Sequence, residues 1–122
     1  MECIFCKIIK GEIPSYKIYE DDKIISFLDI NPYSCGHTLI VPKEHTLDLQ
    51  TISQDTLNYI MAKSKDIASL VSSKLNADGY TIIQNNGFVE EVKHFHLHII
   101  PKYLNKTDID IEKVYEKITH EE

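Results

Sequence analysis

The chain has 122 residues, 43% hydrophobic and 26% charged, the composition of one globular domain rather than of a disordered, collagenous or membrane-spanning chain. At this length about two-thirds of the unfolded chain's surface can be buried, enough for one core without disulfide staples. Thirteen basic against nineteen acidic side chains leave a formal charge of -6, which repels polyanions and argues against general nucleic-acid binding, though not against a small anion in a local pocket.

Apolar runs such as Leu39-Ile40-Val41 fall far short of the ~20 residues a spanning helix needs. Glu2, Lys7, Lys10 and Glu12 also interrupt the apolar residues that a secretory segment would keep together, so a cytoplasmic protein away from membranes is expected. In chain order, residues 7–10 before Gly11 read as a short helix. Residues 16–19, Ile24–Leu28 and 38–41 read as strands, separated by Glu20-Asp21-Asp22, Asn31-Pro32 and Cys35-Gly36. Over Gln54–Leu75 the residues Leu57, Ile60, Met61, Ile67, Ala68, Val71 and Leu75 recur at helical spacing. Ser53 is placed as N-cap, Asp55 in the first turn, and Lys74 before Asn76 and Gly79 at the exit. The stripe of this helix needs a sheet face to cover.

Residues 80–84 and 92–100 complete the strands. The second alternates strictly, with His94, His96 and His98 on one face, Phe95, Leu97 and Ile99 on the other, and Pro101 expected to end it. Ile109, Ile111, Val114, Tyr115 and Ile118 sit in an acidic stretch that reads as a weakly amphipathic terminal helix. The expected fold is α+β, a single domain with an antiparallel sheet of about five strands, one long helix and a short N-terminal one.

Three histidines on alternate strand positions allow three readings. They are polar residues satisfied by water or hydrogen bonds, a His-x-His pair holding a catalytic zinc with an open water position, or an imidazole nucleophile oriented by its neighbours. Alternate strand positions lie ~6.5 to 7 Å apart and the outer pair ~13 Å, so one ion does not take all three evenly. Three cysteines, two as Cys3-x-x-Cys6, make no secreted disulfide framework. A metal pair, a redox pair and two inert thiols remain open for them, and Cys35 reads as a buried or loop thiol.

The segment His94-Phe95-His96-Leu97-His98-Ile99-Ile100 resembles the signature of the histidine triad (HIT) superfamily, and the resemblance extends along the chain. Residues 3–14, Phe27-Leu28-Asp29-Ile30-Asn31-Pro32, residues 36–45, Asn85-Asn86-Gly87 and Ile100-Pro101-Lys102-Tyr103 are similar to bacterial members of its nucleoside-phosphoramidase-like branch. The resemblance implies a purine nucleotide hydrolase or nucleotidyl transferase that cleaves nucleoside 5'-phosphoramidates or related conjugates at the α-phosphorus. In it, His96 attacks to form a covalent nucleotidyl-histidine, His98 contacts phosphate and protonates the leaving group, and His37 is a supporting fourth histidine. Asp29 is expected to accept from ribose hydroxyls, with Ile4, Phe5, Ile8, Phe27 and Ile30 around a purine and Asn85 on the phosphate side. Ordinary core packing for the apolar residues and turn capping for Asp29 are the competing readings. The resemblance further implies a structural zinc on Cys3, Cys6, His45 and His94, no organic cofactor, and a homodimer. Residues 1–103 would form the family's domain and 104–122 an acidic tail, partly helical, packed on it or extending from it.

The chain departs from the family pattern before the triad. Glu90 stands where a phosphate-contacting Gln is expected, Glu91 where a Ser or similar residue stands, and the loop is shorter. An amide donates to phosphate and an ionised carboxylate does not. At ~4 Å and an effective dielectric of ~20 the repulsion is on the order of 4 kcal/mol. Glu90 favours a nucleotide-binding regulatory module with weak catalysis as a competing function, beside a dinucleoside polyphosphate hydrolase within the same family and a zinc hydrolase built on His94 and His96.

Overall fold

The computed structural model describes residues 3–87, 92–105 and 109–120. Five strands, β1 (Lys17–Glu20), β2 (Ile24–Leu28), β3 (Thr38–Pro42), β4 (Gly79–Ile83) and β5 (Leu97–Lys102), form one sheet in the order β1-β2-β3-β5-β4. Every neighbouring pair is antiparallel. The α+β expectation therefore holds, with the longest helix, α2 (Gln54–Leu75), at the expected bounds.

Local chemistry sets those bounds. Thr56 N–H donates to Ser53 Oγ at 3.2 Å, and the helix ends at Asn76 in the left-handed region (φ 55°), which Asn tolerates better than most residues. Ile60, Ile67, Ala68, Val71 and Leu75 are buried along the helical stripe. They meet Ile24, Leu28, Ile40, Phe95, Leu97 and Ile99 from the sheet, each such side chain contributing about 1.5–3 kcal/mol when fully buried. The terminal helix α3 (Ile111–Thr119) adds Val114 and Ile118 to this core. Asp21, in the β1–β2 turn, accepts from the hydroxyls of Tyr19 and Tyr59 and so ties that turn to α2.

The opposite face of the sheet carries a smaller cluster, Phe5, Ile25, Phe27, Leu39 and Val41, under the short helix α1 (Ile4–Ile9). This helix begins three residues earlier than the expected 7–10. Its cap is a thiol: Cys6 N–H donates to Cys3 Sγ at 3.2 Å.

The last strand differs from expectation at both ends. It starts at Leu97 rather than at 92, because the preceding chain bonds elsewhere: His94 N–H donates to Val92 O at 2.9 Å and Phe95 N–H to Thr46 O at 2.8 Å. The alternation nevertheless survives, Phe95, Leu97 and Ile99 packing toward α2 while His94 and His96 face Phe5. The strand also runs through Pro101, opposite Tyr80, to Lys102. Pro101 O accepts from Ser34 Oγ at 2.6 Å, and the N and O of one strand residue share an edge. The missing N–H thus lies on the side where β3 has already ended, at Thr38 opposite Ile99, and no ladder bond is lost.

Candidate functional site

Three histidines, His37, His96 and His98, and an aspartate meet where β3 and β5 lie side by side. Leu39 pairs with His98, and the chain entering β3 brings Asp29 and His37. That entry is a tight turn, with Asp29 N–H donating to His37 O at 2.9 Å. Gly36 permits it twice over. Its φ is +87°, and a Cβ there would come within 2.4 Å of Leu75 Cδ1.

The hydrogen bonds assign a tautomer to each imidazole. His96 Nδ1–H donates to His94 O at 2.7 Å, which leaves the lone pair on Nε2. Tyr33 N–H donates to His37 Nδ1 at 3.1 Å, so the proton of neutral His37 sits on Nε2. From there it donates to His98 Nδ1 at 2.9 Å, and His98 in turn carries its proton on Nε2. The His96 and His98 rings stand 4.9 Å apart at 61°. A base on one ring and a proton donor on the next are therefore neighbours. Burial, the largest influence, pushes His37 below the ordinary histidine value and keeps it neutral, against the pull of Asp29.

Asp29 does two things. Oδ1 accepts from Asn31 N–H at 2.9 Å, the turn-capping role, while Oδ2 lies 3.7 Å from His37 Nε2. Asp29, His37 and His98 thus cluster closely enough to suggest a metal. The tautomers exclude that reading, since neutral His37 with Nδ1 accepting has a proton, not a lone pair, on Nε2.

A second cluster fits a metal. The ligand atoms of Cys3, Cys6, His45 and His94 all lie within 4.8 Å of one another. The sulfurs are 3.1 Å apart, the two Nδ1 atoms 3.1 Å, and the S···N separations run from 3.2 to 3.7 Å. A tetrahedral zinc with Zn–S of ~2.3 Å and Zn–N of ~2.0–2.1 Å has edges of about 3.3–3.8 Å, so the set is a slightly contracted tetrahedron. His94 Nε2–H donates to Pro42 O at 2.8 Å, which leaves Nδ1 unprotonated and aimed at the thiols, an outer contact of the kind that orients metal-bound histidines. Burial pushes His94 below the usual value and favours the neutral form a ligand requires. This geometry also separates His94 from His96, so the pair does not form a shared zinc site.

The expected base-pocket residues divide by exposure. Phe5 and Phe27 are buried edge-on against each other, with Phe5 also edge-on to His96 at 4.8 Å and 83°. Ile8 is half-buried beside them, whereas Ile4 and Ile30 are exposed at 48% and 71%. Asn85 is half-buried, and its carbonyl accepts from Gln84 Nε2 at 2.9 Å. Glu90 and Glu91 lie outside the described residues. Cys35 is half-buried in the loop before His37, its thiol pushed up by burial and its carbonyl accepting from Tyr103 at 2.7 Å. Sequence reasoning missed Tyr33, whose backbone sets the His37 tautomer and whose ring stacks on it at 5.4 Å and 15°. No residue-type signal marks a main-chain N–H. Ser34, which ties this loop to β5, carried only the weak signal of a turn residue.

Comparison with known proteins agrees with this arrangement. The HIT domain family model matches residues 10–105. An uncharacterized HIT-like protein from Methanocaldococcus jannaschii is 51% identical over 104 residues, covering 83% of this chain and 79% of that protein. An adenosine 5'-monophosphoramidase from Candida albicans is 43% identical over 115 residues, covering 89% and 76%. Among solved structures, a Hit-like protein from Bartonella henselae superposes with a TM-score of 0.89 at 37% identity, covering 97% of this chain and 95% of its own. A Zn-bound histidine triad family protein from Mycobacterium smegmatis gives the same TM-score at 35% identity, covering 98% and 91%. With the match spanning most of its length and its histidines gathered as described, the chain belongs to the HIT domain family.

Proposed function

We propose that this protein hydrolyses purine nucleoside 5'-phosphoramidates or related conjugates at the α-phosphorus through His96. The observation that carries the reading is the 2.7 Å hydrogen bond from His96 Nδ1–H to His94 O, which presents Nε2 as a neutral nucleophile. The Nε2 lone pair attacks phosphorus, the P–N bond breaks, and its electron pair leaves with the amine. The amine takes the proton of His98 Nε2–H. Water then attacks the nucleotidyl-histidine, returns a proton to His98, and releases the nucleoside monophosphate and free His96. His37, neutral and bonded to His98 Nδ1, holds the donor in the required tautomer.

Asp29, Phe5, Phe27 and Ile8 receive the nucleoside, Asp29 through its carboxylate to the ribose diol, with exposed Ile4 and Ile30 closing over the base and Asn85 on the phosphate side. Zinc on Cys3, Cys6, His45 and His94 has four protein ligands and no open position, so it supplies structure rather than an activated water. The homodimer implied by the family would use exposed Tyr80 and Ile82 of edge strand β4 with Met61 and Leu70 of α2, and sedimentation of the purified chain tests it. The 43% identity to the adenosine 5'-monophosphoramidase of Candida albicans supports the substrate class.

Brief mixing with adenosine 5'-phosphoramidate followed by intact-mass measurement tests the mechanism. An adenylyl adduct or released adenosine monophosphate is expected, with turnover reduced by at least about 10³-fold in His96→Ala. Wild-type turnover retained in the variant sinks the nucleophile assignment.

A regulatory nucleotide-binding module is the second reading, favoured by Glu90, which stands in the sequence where the family resemblance expects a phosphate-contacting Gln. Glu90→Gln is expected to raise phosphoramidate turnover by about tenfold or more, an amide donor replacing a repelling carboxylate. Binding without turnover in both proteins supports the module instead.

A further inference from the structure

We infer that metal at Cys3, Cys6, His45 and His94 assembles the nucleotide pocket, clamping α1 over the sheet and fixing the backbone carbonyl that orients His96. The inference rests on the nucleotide reading given above for its consequence, but not for its physical basis. A helix of six residues does not hold itself together in water. Phe5 is the one fully buried residue of α1, with Ile8 and Ile9 half-buried beside it. The remaining anchorage lies in the thiols. Cys3 caps the helix and Cys6 stands in its first turn, both aimed at His45 from the loop after β3 and His94 from the segment before β5.

Two walls of the site hang on those ligands. Phe5, between the two cysteines in sequence, lies edge-on to His96 at 4.8 Å, to Phe27 at 5.7 Å and to His94 at 6.0 Å. His94 itself offers Nδ1 to the thiols and its carbonyl to His96 Nδ1. One ion therefore restrains the pocket-forming helix and the residue that sets the nucleophile's orientation. The main core of α2, α3 and the other sheet face contains none of these groups. Metal loss is accordingly expected to open the pocket while leaving that core folded, a local transition rather than global unfolding.

Hydrogen exchange by mass spectrometry on the full chain tests this, comparing protein loaded with zinc ion, chelator-stripped protein and stripped protein given zinc ion again. Removal is expected to speed exchange of residues 4–9 and 92–96 by about tenfold or more while α2 changes by less than about twofold, with zinc restoring both. Adenosine monophosphate affinity is expected to fall about tenfold in parallel. Unchanged exchange in α1 overturns the clamp, and so does α2 exchanging as fast as α1, which makes the metal a support of the whole fold. Phe5→Ala keeps all four ligands and is expected to retain zinc yet bind the nucleotide more weakly. Wild-type affinity in that variant breaks the link from clamp to pocket. Metal-dependent protection of α1 in a protein that binds no nucleotide when loaded removes the functional reading and overturns the pocket-assembly inference, while the local clamp remains demonstrated.

Discussion

The two faces of the sheet are built by different physics. Toward α2 and α3, the twenty-two-residue and nine-residue helices cover a contiguous apolar core in which identity matters through volume. Toward α1, five buried apolar residues share the surface with imidazoles and thiols, and identity matters through which atom donates and which accepts. The first face resists substitution by mass, the second by direction. Stability and chemistry are thereby separable across the two faces of one sheet, on which successive side chains alternate.

Adjacent residues on β5's approach offer the sharpest contrast. Phe95 is 1% exposed on the helix side and His96 is 4% exposed on the other. Phe95→Ala is expected to cost about 3–5 kcal/mol by denaturant unfolding, the usual range for emptying such a site. His96→Ala is expected to remove turnover with a far smaller loss of stability. Equal destabilisation by the two would break the division between the faces.

Gly36 lies where the faces communicate, since a side chain there would meet Leu75 and Val71 of α2 while its neighbour is His37. Gly36→Ala meets both a left-handed φ and a 2.4 Å contact, and is expected to lose roughly 2 kcal/mol or more. Unlike Phe95→Ala, it should also lower turnover in the fraction that remains folded, because His37 moves with the turn. A measured loss of stability with unaltered turnover per folded molecule would place the strain wholly on the helix side.

The same division explains what was legible in the sequence. The bounds of α2 follow from a 3.6-residue period and a Ser53 cap, both local. The facing of His94, His96 and His98 opposite Phe95, Leu97 and Ile99 follows from a period of two, and it holds even where no ladder forms. The start of β5 was not legible, because it depends on a bond from Phe95 to Thr46, far away in the chain. Nor was the passage through Pro101, which depends on where β3 stops. At the site, residue types disclosed the histidines and cysteines, whereas the tautomers came from main-chain groups of Tyr33, Pro42 and His94. Ile4 and Ile30 illustrate the converse, apolar residues whose identity suggests enclosure but which stand open on this chain.

Acid titration gives the smallest effect and probes the polar face alone. Burial holds His37 below its ordinary value near 6.5, so in the folded protein it stays neutral at pH values where the unfolded chain is already protonated. The unfolded state then binds more protons, and stability falls as pH drops below about 6.5. Above that value both states are neutral and His37 contributes no slope. His94 is shifted in the same direction and adds to the loss, which is why a variant is needed to isolate His37. In His37→Gln, the fall in Tm between about pH 7.5 and about pH 5.5 is expected to be smaller than in wild type, by the share that His37 supplies. A Tm difference identical in the two proteins means that His37 titrates alike folded and unfolded. The relay from Tyr33 N–H through neutral His37 into His98 would then operate only above about pH 6.5, with no margin supplied by burial.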